Sequence, residues 1–291
     1  MDIFKGENIL DFAKEFPDDA SCKAYLAQEK WLSGFICPKC AHTKGCEKAG
    51  HKYHCYSCGN MESATANTLL HKLKFGLRKA FFIVFEMTAT TKGMSSIQIG
   101  KRYGISQTTA WFFMQKVRDT MQSSEQHLLT NRVHVDEFVV GGKEDRKQWL
   151  SYDTKKKKAA IAVEFTEENK VKTAYISFIQ DYSSLTSFKK DIAKDVKITT
   201  DGWLRYNPIA KDYDIEQVPS NKGRNFKLHI VIRQIKSWFR TIPSHIRRKP
   251  VQTYFDEFCY RINISIFKES IFHNIIQRMV GSWGCTNLYE T

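Results

Sequence analysis

Two cysteine pairs of C-x-x-C spacing, Cys37-Pro-Lys-Cys40 and Cys55-Tyr-Ser-Cys58, stand 14 residues apart. Four thiolates at that spacing close tetrahedrally around zinc, each pair supplying one knuckle of a small ribbon. The stretch from 36 to 60 is short and rich in Cys, Gly and Lys, so its core would be the metal and not a set of apolar side chains. A closed set of four thiolates has no open coordination position, so the zinc is structural and does not identify the module's target. His42, Cys46, His51 and His54 lie in the same stretch and read as bystanders. Cys22, Cys259 and Cys285 have no partners at metal spacing and are expected as small buried hydrophobes.

Reading cysteines as ligands presumes a reducing compartment, and the N-terminal MDIFKGENILDFAKEF lacks the basic flank and apolar run of a secretion signal. The longest apolar run, Ala80 to Phe85, is far short of the roughly 20 residues of a membrane span. A cytoplasmic location, nucleoid-associated when bound to DNA, and no membrane partner are therefore expected. The chain's 291 residues are enough for two or three cores, and its net charge of +14 makes a polyanion the default partner.

Residues 1–35 have helical apolar spacing, with Phe12, Phe16, Tyr25, Leu26 and Trp31 expected inside and Gly34 ending the segment. A second helical stretch runs from Gly76 to Met121, broken near Gly93 and at Gly104, with an N-cap at Ser106. This is the outline of a helix-turn-helix. Gln107, Thr108 and Thr109 would then point into a major groove of double-stranded DNA. From Met87 to Arg118 there is no Asp or Glu, while Lys101, Arg102 and Lys116 are basic and suit phosphate contact.

From Val133 the periodicity changes. Short strand-like runs (HVDEFVV, AAIAVEF, KTAYISFI, VKITTDG) precede helices beginning near Phe226 and Thr253, which predicts an α/β domain with a mixed sheet. The expected organisation is an N-terminal helix and zinc ribbon over 1–62, a helix-turn-helix domain over 63–128 and the sheet domain over 129–291. Lys155 to Lys158 reads as a loop.

Asp136 interrupts an apolar strand, and Asp201 ends another before a glycine. Burying an unpaired carboxylate is costly, whereas two acids on the ends of neighbouring strands can hold divalent metal, Mg2+ or Mn2+. Glu137 alternates to the opposite face and reads as structural. Between Ser220 and Pro250 there are nine Lys or Arg and no acid, with Trp238 and Phe239 interleaved. That stretch, Arg240 included, suits a groove for the DNA backbone.

The order of these parts resembles the ISXO-type insertion-sequence transposases. The resemblance rests on Trp31-Leu-Ser-Gly-Phe-Ile-Cys37-Pro-Lys-Cys40, on Val135-Asp136-Glu137 with Gly141-Gly142-Lys143, and on Thr200-Asp201-Gly202. It continues through Leu228-His229 with Gln234-Ile-Lys236-Ser-Trp238, and Tyr254-Phe-Asp-Glu257-Phe258-Cys-Tyr-Arg261-Ile-Asn263. It implies an RNase-H-like DDE domain behind the ribbon and helix-turn-helix, with Asp136 and Asp201 as the first two catalytic metal ligands. It further implies DNA strand cleavage and strand transfer by a homo-oligomer assembled on DNA. At the third ligand the matching position carries Gln234, a neutral carboxamide, with Lys236 two residues on to contact a phosphate; His229 and, more weakly, Glu216 are alternative contributors. A non-catalytic DNA-binding protein and a metal-dependent nuclease that cuts without joining are the competing readings.

Overall fold

The computed structural model describes residues 8–89, 93–123, 127–140, 157–179, 188–201, 213–218, 226–240, 248–264 and 271–281. Gly141, Gly142, Lys143, Gly202 and Cys285 fall outside the described residues, as does part of the basic run between Ser220 and Pro250. The chain forms two compact units.

The first unit opens with α1 (Ile9–Glu15) and α2 (Asp19–Lys30). Asn8 and Asp18 cap them by accepting backbone N–H bonds, the Asp18 carboxylate from Ser21 at 2.7 Å. The ribbon follows as an antiparallel sheet, β1 (Gly45–Lys48), β2 (Lys52–Cys55) and β3 (Met61–Ser63). Three helices come next, α3 (Leu77–Ala89), α4 (Ser96–Tyr103) and α5 (Gln107–Thr120). The Asp19 carboxylate accepts the Arg78 N–H at 2.7 Å and so ties the start of α3 to α2. α3 is buried along most of its length over residues 80–88, as the apolar run 80–85 requires, while Arg78 and Lys79 in its first turn are exposed.

α8 (Ile271–Gly281) completes this unit, packing on α2, α3 and α5. Sequence order had put it with the sheet domain. Its Phe272 enters an aromatic cluster with Phe12, Phe16, Tyr25 and Phe81, the rings 4.9 to 6.2 Å apart. Phe12, Phe16, Tyr25 and Leu26 are buried as their spacing predicts, whereas Trp31 is only half-buried against Tyr53 of the ribbon.

The second unit is a five-stranded sheet in the order β6-β5-β4-β7-β8. β4 (Arg132–Val140), β5 (Lys157–Phe165) and β6 (Val171–Phe178) form an antiparallel meander; β7 (Lys197–Asp201) and β8 (Asp214–Val218) add parallel to β4. This is the mixed α/β sheet expected, in the strand order an RNase-H-like fold requires. β8 carries no apolar alternation because it is the sheet's edge strand, which is why the sequence predicts no strand there. Lys157 and Lys158 open β5 instead of lying in a loop, since pairing with Val140 and Val139 carries the strand that far.

Alternation divides the core into two faces. Val133 and Val135 pack with Phe188, Ile192, Val196 and Ile198 on one side. Phe138 and Val140 pack on the other against α6 (Phe226–Phe239) and α7 (Arg248–Ile264). α7 begins five residues before the expected Thr253 because Pro250 falls in its first turn, where the missing N–H has no partner to lose.

Candidate functional site

In the ribbon, β1 and β2 bring both knuckles together, and the Sγ atoms of Cys37, Cys40, Cys55 and Cys58 all lie within 4.8 Å of one another. Cys37 to Cys58 and Cys40 to Cys55 are each 3.6 Å apart. Tetrahedral ligation at a Zn–S distance of about 2.3 Å puts sulfurs about 3.8 Å apart, so the set fits zinc. Burial raises the Cys37 thiol, but the backbone N–H groups of Lys39 and Cys40 outweigh it and bring it down to about 7. The N–H of Asn60 favours the Cys58 thiolate, yet crowding by Cys40, Cys37 and Cys55 pushes it up to about 12. A cation at the centre removes that conflict. His51 bonds Glu47 instead of joining the set, and Cys46 and His54 pair across β1 and β2. Cys22 and Cys259 are buried, as expected of hydrophobes.

The helix-turn-helix is built by two glycines. Gly104 takes φ +62° in the turn. Gly100 lets α4 and α5 meet: a Cβ there would stand 2.9 Å from the carbonyl oxygen of Ile105, whose own N–H bonds Gly100. Ser106 caps α5, its Oγ accepting the Thr109 N–H at 3.1 Å and donating to the Thr109 hydroxyl at 2.8 Å. Thr109 is therefore half-buried in the cap, while Gln107 and Thr108 are exposed. Lys101 is exposed and Lys116 half-buried. Arg102 is tied down, its guanidinium donating to the buried Glu86 carboxylate at 2.6 Å.

In the sheet unit, β4 and β7 run parallel with Val135 opposite Thr200. One residue further along each strand come positions 136 and 201, so the parallel register sets the two backbone positions side by side. The Asp136 carboxylate is 19% exposed, with Oδ1 accepting the Glu137 N–H at 2.7 Å. Its Oδ2 lies 3.8 Å from Nδ1 of His229 on α6. That helix is held in place by its buried stripe of Leu228, Val231, Ile232, Ile235 and Trp238.

Each helical residue turns about 100°, so Lys236, seven positions after His229, returns to within about 20° of it, whereas Gln234, five positions on, turns about 140° away. Gln234 is correspondingly exposed and Lys236 half-buried. The structure thus sets His229 beside Asp136, with Lys236 two turns further along the same stripe of α6, and turns Gln234 away from that stripe. Glu216 is committed elsewhere, in an ion pair with Lys197 at 3.1 Å. Arg240 is exposed just past the end of α6. Two carboxylate positions and an imidazole are donors suited to a divalent cation.

No helix among the described residues is long and apolar enough to cross a membrane. No curated protein matches the chain closely enough to count as a relative. Two family models do match: a transposase zinc-ribbon domain over residues 17–61, and an ISXO2-like transposase domain over residues 128–263. The first spans the four clustered cysteines and the second the whole five-stranded sheet with α6 and nearly all of α7. With both domains present in that order over well over half of its length, the chain belongs to the ISXO2-like insertion-sequence transposases.

Proposed function

We propose that the protein binds the ends of its mobile element and carries out metal-dependent cleavage and strand transfer on DNA. The observation that supports this most is the meeting of positions 136 and 201 on adjacent parallel strands with His229 leaning on Asp136. Magnesium or manganese, when bound, supplies a Lewis acid for the scissile phosphate and activates the attacking hydroxyl. Asp136 and Asp201 provide the negative ligands, and His229 takes the third position in place of Gln234. Lys236, on the same stripe of α6, neutralises a phosphate oxygen next to the scissile bond. Zinc on the four cysteines is structural. The helix-turn-helix, with Gln107 and Thr108 outward and Lys101 and Lys116 beside them, grips the repeat; Arg240 follows the backbone. Because two ends are joined, the working form is a homo-oligomer on DNA.

The test uses full-length protein, Mg2+ or Mn2+, and labelled duplex carrying the inverted repeats that flank its gene. Cleaved and joined products that vanish with Asp136→Asn establish the transposase. Cleavage without joining identifies a nuclease. Tight binding with intact DNA in both metals identifies a non-catalytic binder.

A further inference from the structure

α5 is a helix with an unusual outward face. Ala110, Phe113, Met114 and Val117 point into the unit, Phe113 edge-on to Phe75 at 5.3 Å. The positions left outside over the first two turns are 107, 108, 111 and 112, the i, i+1, i+4 and i+5 residues of one stripe. They are Gln107, Thr108, Trp111 and Phe112. Phe112 is 42% exposed, and Trp111 is half-buried with its ring 5.0 Å from that of Phe112 at 75°. Phe113, one residue on, already fills the core position, so the exposed ring of Phe112 and the open side of Trp111 are left to solvent.

The surroundings indicate what covers this pair. From Met87 to Arg118 the sequence has no acid. Lys101 is exposed on α4, and Lys116 stands one turn beyond Phe112. An aromatic pair with a lysine one turn on, in a stretch without acids, fits a polyanion that also presents apolar groups, and the thymine C5-methyl is the apolar group on the floor of the DNA major groove. Gln107, one turn before Trp111, has the carboxamide that matches the N6/N7 edge of adenine, which is thymine's partner. The whole stripe therefore reads one base-pair type.

We propose that Trp111 and Phe112 read thymine methyl groups in the major groove, so that the element-end site requires A·T pairs where the first two turns of α5 cross it. The inference rests on the DNA-binding reading of the helix-turn-helix, and goes beyond it by naming the base and the chemical group.

The experiment starts with full-length zinc-loaded protein and a random double-stranded 24-mer library. The best-retained duplex is resynthesised with deoxyuridine for thymidine, which deletes only the methyl groups. Wild type is expected to bind the deoxyuridine duplex more weakly, by about four-fold for each contacted methyl. Phe112→Ala is expected to bind the thymidine duplex more weakly and to lose the share of that discrimination that Phe112 supplies, while Phe112→Leu retains part of that share. Equal, tight binding of both duplexes by wild type would overturn the inference and leave the DNA-binding reading standing. Retention of no duplex would overturn both. A Phe112→Ala protein that sediments as a smaller species yet discriminates as wild type does would overturn it in favour of a contact between copies of the chain.

Discussion

Nδ1 of His229 stands 3.8 Å from Oδ2 of Asp136, an approach from helix to strand that Gln234 does not make. Replacing His229 by Ala is therefore expected to reduce cleavage by about a hundred-fold or more, whereas Gln234→Ala should leave it within about two-fold. A single-turnover cleavage assay on both variants in Mn2+ separates them, and the opposite order would return the third position to Gln234.

Asp136→Asn removes one of two carboxylates on adjacent strand positions while keeping the shape of the side chain. Cleavage should fall by about three orders of magnitude or more with duplex affinity unchanged. Because Asn keeps the Oδ1 that accepts the Glu137 N–H, the melting temperature without divalent metal should hold. A fall of several degrees would mean that Asp136 serves the sheet instead.

Gly100→Ala puts a methyl 2.9 Å from the Ile105 carbonyl, a backbone atom with nowhere to go. The pair α4 and α5 must splay, at a cost of about 1–3 kcal/mol. Thermal melting and duplex binding should both weaken, while Gly104→Asn, which tolerates the left-handed backbone, should cost less.

The ribbon has only Phe35, Cys37 and Cys55 as a core, flanked by Trp31, Tyr53 and Cys58. Removing zinc with a chelator, or Cys55→Ser, should unfold it outright, because the metal free energy is its folding free energy. The Phe35 and Tyr53 rings, stacked at 4.4 Å, and Trp31 beside them report the loss in near-ultraviolet dichroism. The sheet unit should keep its far-ultraviolet signal.

Acid should weaken the sheet unit in two stages. Burial, with help from Arg132, holds His134 down to about 4 against an ordinary 6.5, so the unfolded chain takes the proton first. Its contribution is complete above about 6.5 and lost as the pH falls toward 4, on the order of 2 kcal/mol. Glu164 follows: burial opposes its charge, but the N–H groups of Thr130 and Asn131 and the Lys172 ammonium outweigh burial and depress it. Its contribution is present above the ordinary 4.5 and lost below it. His134→Phe should flatten the first stage of a melting-temperature profile and leave the second.

Spacing alone revealed the four zinc ligands, since knuckle geometry is local and needs no tertiary knowledge. The helix-turn-helix was legible from Gly104 and Ser106 for the same reason, although Gly100, whose role depends on two helices meeting, was not. Asp136 stood out as a carboxylate within an apolar strand. The resemblance puts Gln234 ahead of His229 for the third position, but sequence alone does not show which of the two faces Asp136, because that depends on where α6 begins and on which stripe it buries. Nor does the sequence separate Phe112 from Phe113: both are apolar, and only the packed helix turns one outward. β8 left no pattern to read, being a charged edge.

The return of α8 to the helices near the N-terminus has a consequence for synthesis. The unit that carries the ribbon and helix-turn-helix lacks its last wall, including Phe272 and the bond by which the Leu69 N–H reaches the Met279 carbonyl at 3.1 Å, until residues 271–281 leave the ribosome. The chain therefore cannot finish its first unit before its second has been translated, and a product stopped short of α8 would lack a completed N-terminal core.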